Sequence, residues 1–224
     1  MTTNAEFVPL DDFASYSESE MEARAAAFFD LMKKRRTVRD FKETPAPRSV
    51  IENALRTAGR APSGANKQPW HFAVIEDDQV KSRLRAAAEE EERAFYGGRA
   101  SEQWLADLAH LGTNEDKPFL EIAPHLIVVF RENYGLEEES GKRTNNYYVH
   151  ESVGIACGLL IAALHNAGLA TLTHTPSPMN FLNEICRRPK NERAVMVIVA
   201  GYPVDGCMVP KIEKKPLEDF ASWI

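Results

Sequence analysis

Cysteine is scarce: Cys157, Cys186 and Cys207 are the only three in 224 residues, far apart and without a CxxC pair. That excludes a disulfide-stapled scaffold and a structural zinc site, and it fits a reducing cytoplasm. Long apolar runs are missing too. The longest, Val153 to Leu164, falls short of the ~18 residues a membrane span needs, so no membrane partner is expected. The opening Met-Thr-Thr-Asn-Ala-Glu is neither basic nor apolar and does not read as a signal peptide. Internal repeats, Ser/Gly linkers and low-complexity segments are absent. Positive charge is in deficit, with 27 Lys and Arg against 33 Asp and Glu. The net charge of −6 argues against a nucleic-acid partner held by bulk charge. His71, His110, His125, His150, His165 and His174 show no metal spacing such as HExxH, so no metal site is expected. A small molecule is the partner left standing.

The remainder is an ordinary globular balance, 44% hydrophobic and 27% charged, enough for one domain with its own core. Residues 1–17 read as a polar, flexible leader to a single domain over 18–224. Met21, Ala25, Phe28, Phe29 and Met32 recur at helical spacing and predict a helix from about Glu18 to Lys34. Arg48 to Gly59 predicts a second helix, and Trp70 to Ile75 a strand. Asp77 and Asp78 can cap a third helix reaching Tyr96, where Gly97-Gly98 stop it. A polar amphipathic stretch follows around Trp104, Leu105, Leu108 and Leu111. His125–Phe130 predicts a buried strand, and Leu169–Thr173 and Ala194–Ala200 two more. The segment from Asn145 to Asn166 is apolar on nearly every face, as a central core helix would be. Helices and strands are mixed, with too few alternating units for a barrel. The class is α+β.

Three sets of residues could carry chemistry. Lys33, Lys34, Arg35, Arg36, Arg39 and Lys42 gather cations in an acidic chain. They suit a solvated helix end, whose dipole favours cations, or a phosphate clamp, since guanidinium forks match phosphate oxygens. The loop Ala61-Pro62-Ser63-Gly64-Ala65-Asn66-Lys67-Gln68-Pro69 can be a plain connection or a backbone surface for a flat cofactor. A third set sits on the predicted third helix, where Glu92 and Tyr96 are four apart and share a face. A carboxylate there can receive an ammonium group, and a phenol can donate or accept. Equally, a glutamate run beside arginine is an ordinary solvated helix face.

Taken together, Arg35-Arg36-Thr37-Val38-Arg39-Asp40-Phe41, the Pro62-Ser63-Gly64…Gln68-Pro69-Trp70 loop and Gly201-Tyr202-Pro203 resemble the FMN-dependent nitroreductase superfamily over about residues 30–224. The resemblance implies a nitroreductase-like fold, a central mixed sheet flanked by helices, in an intertwined homodimer with FMN at its interface. Within that superfamily the chain is most similar to the iodotyrosine deiodinases. The likeness lies in Glu89-Glu90-Glu91-Glu92-Arg93-Ala94-Phe95-Tyr96, Thr113-Asn114-Glu115-Asp116-Lys117, Tyr147-Tyr148-Val149-His150-Glu151, Thr171-Leu172-Thr173-His174-Thr175-Pro176 and Lys214-Lys215-Pro216-Leu217.

That subfamily implies reductive dehalogenation of halotyrosines, with electrons from an external reductant or an NAD(P)H-dependent reductase. Carried over by position, Arg35, Arg36, Thr37, Arg39, Ser63, Thr173, His174, Thr175 and Lys214 hold FMN. His174 does so through its backbone. Thr175 offers its hydroxyl to flavin N5, which makes single-electron steps accessible. Glu92, Tyr96 and Lys117 bind the zwitterion from a lid over about 89–118, and the Ala65 N–H meets the substrate phenolate. Three positions depart from the family: Thr37 stands for serine, Lys214 for arginine, and Gln68 for the glutamate of vertebrate relatives. The membrane anchor of animal relatives has no counterpart, so a soluble cytoplasmic form is expected. A broad NAD(P)H-dependent nitroreductase or quinone reductase, and a flavin-binding or amino-acid-sensing module without turnover, are the rival functions.

Overall fold

The computed structural model describes residues 5–137 and 139–224; residues 1–4 of the expected leader lie outside the described residues. The chain divides into two compact units, one reaching to Arg35 and the other Arg36–Ile224. The first unit contains helix α1, Glu18–Lys33, whose N-terminus is capped by the Ser17 hydroxyl accepting from Glu20 N–H (3.4 Å). Its apolar positions Met21, Phe28 and Phe29 are exposed.

The second unit is a three-layer arrangement. In chain order it runs α2 Arg48–Ala58, β1 Trp70–Ile75, α3 Asp78–Ala94, α4 Glu102–Ala109, α5 Phe119–Ile122, β2 His125–Glu132, β3 Tyr134–Leu136 and β4 Arg143–Asn145. Then come α6 Val149–Asn166, β5 Ala170–His174, α7 Asn180–Ile185 and β6 Glu192–Gly201. The central sheet has the order β1-β2-β6-β5, each neighbour antiparallel. Thr37 adds a parallel bridge to Thr171 outside β5, which makes the sheet mixed.

Alternation along the strands sorts the core into two layers. On one face Leu126, Val128, Phe130, Leu172, Val197 and Val199 meet Leu84 and Ala88 of α3, Phe119 and Leu120 of α5, and Leu182 of α7. On the other, Ile127, Val129, Ile198 and Ala200 meet Ile51, Ala54 and Ala58 of α2 and Val153, Cys157, Leu160 and Leu164 of α6. Burial pushes the Cys157 thiol up to about 11, so it packs as a small apolar side chain.

The structure departs from the sequence expectations in three places. The third helix ends at Ala94 and widens into a π-helical turn, Phe95–Arg99, in which Gly98 takes a φ of 146° that only glycine tolerates well. A short hairpin, β3–β4, occupies ground that includes the expected start of the core helix at Asn145. α6 therefore begins at Val149, with Tyr148 left-handed at its N-cap (φ 49°). Buried residues of α6 fall on one side only, and Ile155 on the other is exposed. At 18 residues α6 is long and apolar enough to cross a membrane by length and composition, though 33% of it is already buried in the chain.

Candidate functional site

Two sheet-edge features create the site. β5 is an edge strand, and the segment after α1 runs alongside it, Val38 N–H donating to the Thr171 carbonyl (3.2 Å). This sets Thr37 and Arg39 next to the β5 end, where Leu172, Thr173, His174, Thr175 and Ser177 line a cavity of about 340 Å³. The second feature is the excursion between α3 and α5. α3 brings Glu91 and Glu92, the π turn brings Phe95 and Tyr96, α4 brings Trp104 and Leu108, the return limb brings Leu111, Thr113 and Lys117, and α5 brings Phe119. Of the residues expected from sequence, Thr37, Arg39, Thr173, His174, Thr175, Glu92, Tyr96 and Lys117 therefore share one cavity.

Inside it Lys117 and Glu92 are already paired. Lys117 Nζ lies 3.2 Å from Glu92 Oε2, with side chains only 4% and 13% exposed. The same ammonium donates to Thr113 Oγ1 (3.3 Å) and to the Asn114 carbonyl, and sits 5.6 Å from the Tyr96 ring centroid. Phe95 stacks edge-on to both Tyr96 (5.3 Å) and Trp104 (4.9 Å), so the aromatic wall is braced. His174 lines the cavity and is buried, edge-on to Phe119 at 5.8 Å, and its Nε2 is the sole fully buried side-chain polar atom without a partner among the described residues. Burial, reinforced by the Lys117 cation, pushes its pKa down to about 3, so the imidazole is neutral.

Four expected residues of the second unit, Arg36, Ser63, Ala65 and Lys214, do not line this cavity. Arg36 donates to the Pro210 carbonyl of the C-terminal tail. Lys214 is exposed in that tail. Ser63 Oγ accepts from Gln68 N–H (2.9 Å), shaping a loop in which Ala65, Asn66 and Gln68 all have left-handed φ, 51°, 53° and 49°. Non-glycine residues held there cost about 1–3 kcal/mol each and mark segments whose shape matters. Gly64 docks this loop on the start of α6, where an added Cβ would stand 2.5 Å from the Tyr147 carbonyl oxygen. Arg35 belongs to the first unit, its N–H donating to the Met32 carbonyl at 3.1 Å.

Sequence reasoning left Phe95, Trp104, Leu108, Leu111 and Phe119 out of the site. The signal was present in Trp104, Leu108 and Leu111, which recur at positions 0, 4 and 7 of an amphipathic segment otherwise lacking a core to face.

The donor set suits FMN: the Arg39 guanidinium and Thr37 hydroxyl can meet a phosphate, and the Thr173 and Thr175 hydroxyls stand at the β5 end. Among the described residues, no three His, Cys, Asp or Glu side chains are grouped to hold a metal.

The profile of the Nitroreductase family matches residues 32–202. The chain is 54% identical to the iodotyrosine deiodinase of Haliscomenobacter hydrossis over 90% of each chain. It is 42% identical to the human iodotyrosine deiodinase 1 over 96% of this chain and 74% of that protein. A crystal structure of oxidised iodotyrosine deiodinase bound to FMN and 3-iodo-L-tyrosine superposes with a TM-score of 0.72 at 31% identity, covering 88% of this chain and all of that one.

Proposed function

The chain belongs to the nitroreductase family and, within it, to the iodotyrosine deiodinases, and from this premise we infer that its cavity binds a halotyrosine beside FMN. It is an FMN-dependent oxidoreductase that replaces the carbon–halogen bond of a halotyrosine with carbon–hydrogen, releasing tyrosine and halide. The observation that carries this reading is the single cavity joining Glu92, Tyr96 and Lys117 to Thr37, Arg39 and the Thr173–Thr175 strand end.

Bound FMN supplies the two electrons that, with one proton, turn the aryl halide into arene and halide. The chain supplies recognition. Glu92 receives the substrate ammonium and Lys117 its carboxylate, so their 3.2 Å pair is exchanged for two pairs with the ligand and the pocket remains charge-balanced. Thr113 and the Asn114 carbonyl keep Lys117 in place during that exchange. Tyr96 adds its phenol to the zwitterion, while Phe95, Trp104, Leu108 and Leu111 cover the aromatic ring and exclude water. Arg39 would serve the FMN phosphate, with Thr37, Thr173 and the His174 backbone along the cofactor. Thr175, at the strand end, would offer its hydroxyl to the bound flavin.

Homodimerisation completes the site. Ser63 and Ala65 lie off their own chain's cavity and reach one from a second copy, the Ala65 N–H meeting the substrate phenolate. Exposed apolar residues on α1, on the outer side of α6 and along the tail (Met208, Phe220, Trp223) give such a dimer its contact surface. An external reductant or an NAD(P)H-dependent reductase delivers the electrons. Three free cysteines fit a cytoplasmic setting.

Titrating the FMN-loaded protein with 3-iodotyrosine tests the zwitterion grip. Glu92→Gln should weaken binding by at least about 2 kcal/mol, the cost of leaving one member of a buried charge pair unmatched. Unchanged affinity would remove Glu92 from substrate recognition.

A further inference from the structure

Lys117 is held at both ends by one helix. Its ammonium faces Glu92 of α3, while its backbone N–H donates to Glu89 Oε1 of the same helix at 2.8 Å. Glu89 is 15% exposed and is itself fixed by Arg85, one turn earlier, whose Nε donates to the same Oε1 at 2.8 Å. Arg85 also reaches Glu121 of α5 at 2.8 Å, so the guanidinium ties α3 to the helix that follows Lys117. Burial alone would raise the Glu89 carboxyl. The Arg85 guanidinium and the Lys117 N–H outweigh it and hold the group below its ordinary value, so it stays an ionised acceptor.

We propose that Glu89 is a positioning residue for amino-acid recognition, anchoring the return limb of the 95–117 excursion through the Lys117 N–H so that the Lys117 ammonium stays in place once substrate has taken Glu92. The proposal rests on the zwitterion reading above and deepens it. While Glu92 and Lys117 pair with each other, the contact at Glu89 is redundant. When the ligand ammonium occupies Glu92, that cross-link is broken. The charge-assisted N–H bond to Glu89 is then the remaining hold that α3 keeps on Lys117. The chain just before it, Asn114 to Asp116, is exposed and irregular, and Pro118 just after it has no N–H to offer. Deleting the Glu89 carboxylate does not strand a buried cation, because Arg85 retains Glu121.

The test compares two ligands in the FMN-loaded protein, 3-iodo-L-tyrosine and 2-iodophenol, which share the aryl iodide but differ in the amino-acid handle. Their ratio of dissociation constants measures the handle's value. Glu89→Ala should shrink that ratio roughly 10-fold or more, as small displacements of positioning groups do, while 2-iodophenol binds as before. Glu89→Gln keeps a carbonyl acceptor for the Lys117 N–H and should restore most of the ratio.

A Glu89→Ala protein that keeps the wild-type ratio, or weakens both ligands alike, overturns the proposal in favour of a merely structural residue. So does a Glu89→Gln protein as impaired as Glu89→Ala. A wild-type protein that binds the two ligands equally sinks the zwitterion reading itself, a result distinct from either.

Discussion

Replacing His174 with leucine should flatten the acid dependence of stability. The imidazole is buried, its Nε2 has no partner, and its pKa falls from 6.5 to about 3 under burial and the Lys117 charge. Between those values the unfolded chain binds a proton that the folded chain refuses. Stability from this group is therefore complete above the unfolded value and is lost as pH falls toward the folded one. The slope approaches about 1.4 kcal/mol per pH unit, so moving from about pH 6.5 to about pH 4.5 costs the wild type about 2 kcal/mol through His174 alone. Leucine has no proton to bind in either state. Urea unfolding of the FMN-loaded wild type and His174→Leu at both pH values gives the quantity as a double difference, in which all other titrations cancel. Parallel pH dependence in the two proteins would refute the assignment and mean that His174 titrates normally or is hydrogen-bonded in the fold.

Two further outcomes follow from the packing and the proposed assembly. Gly64→Ala should destabilise the protein by about 1–3 kcal/mol in denaturant unfolding, because its Cβ would meet the Tyr147 carbonyl oxygen at 2.5 Å in a segment already carrying three left-handed residues. Wild-type stability in that variant would contradict the close docking of the loop on α6. Sedimentation of the FMN-loaded protein should place flavin absorbance with a dimer, and conditions that yield monomer should release it. A monomer retaining full FMN would remove the second copy from the site.

Strands β1, β2, β5 and β6 and helices α1, α2 and α6 were legible from the sequence because each buries a face or spans a run whose apolar spacing matches its geometry. What escaped notice was decided by contacts distant in sequence. The β3–β4 hairpin lacks an alternating apolar pattern, and Asn191 from the β6 approach supports it by donating to the Tyr134 carbonyl at 3.0 Å. The Gly97-Gly98 pair was legible as a helix stop, but not as a π turn, since glycine spacing does not specify which carbonyl accepts the next N–H. Glu92 and Tyr96 could be placed together by their spacing of four. Lys117 could join them only by resemblance, because the 25-residue separation from Glu92 carries no periodic signal. Arg36 was legible as a cation, and its engagement with Pro210 was not, because the tail brings that carbonyl back from the far end of the chain.

Anaerobic turnover of 3-iodotyrosine by the FMN-loaded protein, with dithionite as reductant and tyrosine followed by chromatography, examines the chemistry directly and bypasses the native electron donor. Stoichiometric tyrosine and iodide, lost in Glu92→Gln, is the result expected. A fully flavin-loaded protein that forms no tyrosine, yet oxidises NAD(P)H rapidly with nitroaromatics or quinones whether or not Glu92 is intact, would contradict it.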